Sequence, residues 1–83
     1  MADNTERSLR KEVRNPVLNL PAYARMSELS DDAKAAIAEI MRDLNREARQ
    51  RAQESWRRNK GPMAVYWKAV GAYAGHIYRA IRP

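Results

Sequence analysis

Cationic side chains are the groups in this sequence best spaced to do chemistry. Arg42, Arg46, Arg49, Arg57 and Lys60 recur at three-, four- and eight-residue intervals. On an α-helix such spacing gathers them within roughly 80° of arc. A second, overlapping set is Arg57, Arg58, Lys60, Lys68, Arg79 and Arg82, which no acidic residue after Glu54 offsets. Guanidinium and ammonium groups in such a row attract phosphates or acidic side chains. The chemistry on offer is binding.

Catalytic alternatives find little support. His76 is the only histidine, and there is no cysteine. A lone imidazole without a second ligand or a nearby serine or acid makes neither a metal site nor a relay. Asp43 and Glu47 lie one turn apart, but among arginines they form a poor acid–base pair. No glycine-rich phosphate loop occurs. The expectation is a non-enzymatic protein with no cofactor, no metal and no catalytic residue.

Charge is distributed unevenly. The chain has 83 residues, 16 Lys/Arg and 10 Asp/Glu, for a net charge of +6. Every acid lies in residues 1–54, where the charges cancel, so the whole excess falls on residues 55–83. This asymmetry suits an acidic or nucleic-acid-bound protein, nucleic acid itself or an anionic membrane surface. No apolar run approaches the about 18 residues of a membrane span, and the polar start does not read as a secretory leader. The reading is a cytoplasmic protein of one domain.

The elements that must position these groups are helical. Residues 1–15 are charged and almost without apolar anchors, and read as a mobile arm. Residues 16–20 read as extended, and Pro21 can open a short helix over about 21–29, capped by Asn19 or by the turn before it and laid as a lid over Ala33 and Ile37. Ser30, Asp31 and Asp32 form a start signal for a long helix over about 31–59. Its apolar stripe runs through Ala33, Ile37, Ile40, Met41, Leu44, Ala48, Ala52 and Ser55. Gly61 can end it in a left-handed conformation, and Pro62 can start a third helix over about 62–81. The fold expected is all-α: a long antiparallel hairpin covered by a short helix and an extended segment.

The third helix offers two faces. Met63, Tyr66, Val70, Tyr73, Ile77 and Ile81 read as the core stripe, opposite the small residues of the long helix. Gly71 and Gly75 are left on an outer face, in a row with large ends and small middles: Trp67, Gly71, Ala74 and Tyr78. Each glycine costs about 1 kcal/mol in a helix interior, so the pair implies close approach by another backbone. The reading is a docking groove using Trp67, Lys68, Gly71, Gly75, Tyr78, Arg79 and Arg82, continuous with Arg57, Arg58 and Lys60 at the bend. Trp56 reads as closing the end of the hairpin.

No family motif is recognisable. A helix-turn-helix reader needs short helices, and the common RNA and oligonucleotide modules need sheets. The leading expectation is an interaction module, such as an inhibitor or accessory factor of a protein or nucleoprotein complex of phage or mobile-element type. A second copy of the chain is also a candidate partner. The alternatives are direct nucleic-acid binding through phosphates and attachment to a membrane surface.

Overall fold

A computed structural model describes residues 14–82. The arm expected over residues 1–15 lies outside this range except for Arg14 and Asn15. The described chain is all-α. A 3-10 turn at Pro16–Asn19 precedes helix α1 (Pro21–Ser27), helix α2 (Asp31–Arg57) and helix α3 (Gly61–Ile81). Helices α2 and α3 pack against each other as the antiparallel hairpin that the sequence implies.

Local chemistry explains the boundaries. The Ser30 hydroxyl accepts a hydrogen bond from the Ala33 amide at 3.2 Å, and Asp31 and Asp32 occupy the first turn of α2. Both features favour the positive end of a helix. At the other end, the Lys60 amide donates to the Ser55 carbonyl and the Asn59 amide to Trp56. That pair of bonds is a Schellman closure. It requires a left-handed residue, and Asn59 supplies it with φ 59°. Gly61, expected in that role, instead begins α3 without a positive φ, and Pro62 follows in its first turn.

The N-terminal side departs from expectation in its backbone, and of the two caps expected for α1 the preceding turn, not Asn19, serves. Residues 16–19 form a 3-10 turn rather than an extended strand. Leu20, not Asn19, caps α1, and it does so without a side-chain bond. The main contacts of the 3-10 turn are with α3 and α1. Asn15 anchors it: the side chain is buried, and its Nδ2 donates to the His76 carbonyl at 2.8 Å. The 3-10 turn therefore braces α3.

The largest departure is the rotation of α3. Its buried residues are Ala64, Gly71, Ala74, Gly75 and Ile81. Tyr66 and Tyr73, expected in the core, are 55% and 64% exposed, and Met63 is exposed as well. On α2 the most buried residues are Ala38 and Ala48, while Ile40 faces solvent. No large side chain is fully buried among the described residues. The seam is thus a contact of small residues, in which two backbones come close because nothing bulky separates them.

Candidate interaction surfaces

Gly71 and Gly75 sit inside the seam, so the proposed outer groove is occupied by α2. A Cβ on Gly71 would lie 3.2 Å from the Arg49 Cγ, 3.5 Å from the Asn45 carbonyl oxygen and 3.6 Å from the Ala48 Cβ. A Cβ on Gly75 would lie 3.1 Å from the Asn45 Nδ2 and 3.5 Å from the Arg79 Nη1. Asn45 crosses the seam and donates from Nδ2 to the Gly71 carbonyl at 2.6 Å. The glycines also make room for the arginines: the Arg49 stem rests on Gly71, and the Arg79 guanidinium reaches over Gly75. This is the close backbone approach the glycines implied, made within the chain.

Trp67 and Tyr78 are half-buried along the same seam. Arg51 Cζ lies 5.7 Å from the Trp67 ring centroid, and Tyr66 meets Trp67 edge-on with centroids 5.0 Å apart. Arg82 Cζ lies 5.7 Å from the Tyr78 ring centroid. These aromatics seal edges of the hairpin under arginine planes.

The basic residues do not form one continuous cluster. Arg57 and Arg58 both pair with Glu54, at 2.7 and 2.8 Å, so the bend is less cationic than the sequence implies. Lys60 is exposed beside them. Arg79 and Arg82 lie near the opposite end of α3 and, with Arg14 and Asn15, line a cleft of about 550 Å³. Nineteen residues of helix separate Lys60 from Arg79, which is roughly 28 Å at 1.5 Å per residue.

Between these ends, one side of the hairpin is cationic. Arg42, Arg46, Arg49 and Gln53 line a shallow groove along α2. Gln53 also borders an open cleft of about 670 Å³, shared by Trp56, Arg57, Val65 and Lys68. Only Arg42 and Arg57 of this side's cations have an ion partner among the described residues, and the Arg42–Asp43 contact is long at 3.8 Å. Trp56 is 69% exposed and forms a wall of the cleft instead of closing the hairpin.

The opposite side carries residues that periodicity alone places inside. Met63, Tyr66, Val70, Tyr73 and Ile77 form an uncharged stripe along α3, with both tyrosines largely in solvent. The α2 residues beside it, reached through Arg51 at Trp67, alternate in sign as Glu47, Arg51, Glu54 and Arg58. Among the described residues no group of three or more His, Asp or Glu is placed to hold a metal ion. No helix among them is long and apolar enough to cross a membrane. Comparison with protein-family models, curated proteins and solved structures finds no significant match to this chain.

Proposed function

We propose that this chain is a non-catalytic protein-binding module, acting in the cytoplasm as an inhibitor or accessory factor of a larger complex. The observation that carries this reading is the exposed stripe of α3. A helical hairpin is a single layer, and a stable domain normally covers such a layer with a second one. Here the cover among the described residues is a 3-10 turn of four residues and the seven-residue α1. Contiguous apolar surface centred on tyrosines is the usual composition of a protein interface. The test is a pair of substitutions, Tyr66→Ser and Tyr73→Ala. Because both side chains are largely exposed and Tyr66 loses only its edge contact with Trp67, the melting transition is expected to move by no more than about 1 kcal/mol equivalent. Retention of a partner on the immobilised chain is expected to be abolished. A stably folded double variant that keeps its partner at full affinity would overturn the reading.

A second reading is phosphate-mediated nucleic-acid binding through the cationic side. Arg46, Arg49 and Lys68 favour it, since among the described residues no acid pairs with them. Replacing the three with alanine is expected to weaken binding to all duplex sequences alike. The log–log salt slope should fall by about 0.9 for each phosphate no longer neutralised. Titration of a labelled duplex over a range of salt concentrations measures both effects, and an unchanged slope would exclude this surface.

A further inference from the structure

We infer that the occupant of the α3 stripe is a second copy of this chain, packed α3 against α3 across a two-fold axis. The inference rests on the protein-binding reading and names its partner.

Charge selects the stripe over the opposite side. Between Gly61 and Ile81 the only charged residues are Lys68 and Arg79, and both lie away from the stripe. Two copies meeting on the stripe therefore bring no like charges together. The bordering row of Glu47, Arg51, Glu54 and Arg58 contains both signs and is neutral in sum. On the opposite side, Arg42, Arg46, Arg49 and Lys68 would repel a second copy. An acidic partner has no cation on the stripe to recognise, whereas a two-fold contact needs only a surface complementary to itself.

Shape and area agree. With the axis between Ala69 and Val70, antiparallel helices place Tyr66 opposite the second copy's Tyr73, and Met63 near its Ile77. Val70 then meets the second copy's Val70 across the axis, and opposed helix dipoles favour this orientation. Tyr66 and Tyr73 together still expose on the order of 250 Å² of side chain. Met63, Val70, Ile77 and the exposed Ile40 enlarge the patch toward the low end of specific interfaces, about 600 Å² per partner. The association is accordingly reversible and concentration-dependent. It leaves both cationic sides facing outward.

The chain contains no cysteine, so single introduced thiols report proximity without background. Val70→Cys and Gln50→Cys variants of the full chain would be oxidised mildly under identical conditions. Val70→Cys is expected to form a disulfide-linked dimer about tenfold faster than Gln50→Cys, because the axis raises its effective concentration. Met63→Cys is expected to link slowly, since antiparallel helices hold its two copies roughly 20 Å apart along the axis. Sedimentation of the unmodified chain is expected to show a monomer–dimer equilibrium, which Tyr66→Ser with Tyr73→Ala shifts to monomer. A chain that stays monomeric at all concentrations, or equal linking at positions 50 and 70, would overturn the two-fold contact. If that happens while the double variant still fails to retain another protein, the protein-binding reading survives and only the identity of its partner fails.

Discussion

An Ala48→Glu variant is expected not to fold. Ala48 is 1% exposed, and its Cβ lies 3.6 Å from where a Gly71 side chain would begin. A carboxylate there must lose its water in a seam where the Asn45 amide is already committed to the Gly71 carbonyl and Arg49 presents its aliphatic stem. An uncompensated buried charge costs several kcal/mol. A chain of this size has a total stability of about 4–12 kcal/mol. Forcing the helices apart to hydrate the carboxylate would also break the Asn45–Gly71 bond. Circular dichroism should show weak helix content and no cooperative melt. Gln50→Glu, two residues along on an exposed position, is the matched control and should melt like the parent.

The second large effect is expected at Gly71. Leucine there gains about 1 kcal/mol of intrinsic helix propensity over glycine. It also drives a branched side chain into the Arg49 stem, the Asn45 carbonyl and Ala48. Overpacking a tight seam costs about 1–3 kcal/mol, and more where backbone must move. The backbone oxygen of Asn45 is among the obstacles, so the cost is expected to exceed the gain by about 2 kcal/mol. The melting temperature should then fall by about 8–16 °C. Gly71→Ala separates the two effects. Its added methyl meets chiefly the flexible Arg49 Cγ at 3.2 Å, and the propensity gain offsets that contact. The alanine variant should melt near the parent. Thermal denaturation of both variants checks the pair, and a leucine variant as stable as the parent would place Gly71 outside the seam.

The helices are legible in the sequence because their ends are chemically marked. Ser30, Asp31 and Asp32 start α2 as expected, and the bend falls within three residues of its expected place. The antiparallel pairing is legible too, and it sets Ala48 beside Gly71 and Arg51 beside Trp67. What the sequence obscures is the face of α3 turned toward α2. A periodicity argument assigns the bulkiest stripe to the interior, and α3 has two stripes: one bulky, one small. Tyr73 and Ile77 mark the first, Ala64, Gly71 and Ala74 the second. Burying the bulky stripe maximises area removed from water within one chain. The small stripe wins the seam. The glycines are the available signal, and they invite α2 instead of an outside partner.

The groove residues illustrate the same point. Gly71 and Gly75 are close-approach positions, as their type implies, but they belong to the seam. Arg57 and Arg58 look uncompensated in the sequence because acids stop at Glu54. That one carboxylate, three and four residues upstream, reaches both. Asn45 escapes sequence reasoning altogether. A polar residue next to an apolar stripe gives no sign that its amide will cross to the Gly71 carbonyl. The left-handed Asn59 is likewise masked by Gly61, which by type is the more obvious residue for that conformation.

A seam made of alanine and glycine inverts the ordinary map of mutational tolerance. In most small domains the large apolar side chains are the least replaceable and the small ones vary freely. Here Ala38, Ala48, Ala64, Gly71, Ala74 and Gly75 admit little beyond a methyl group, because the spacing of two helix backbones depends on them. Tyr66, Tyr73, Met63, Ile40 and Trp56 can change with little consequence for folding. Selection on what this protein contacts is therefore largely separated from selection on whether it folds. Drift at the small positions is blocked by folding itself, while the large exterior residues are free to be rewritten as the contacts of the hairpin change.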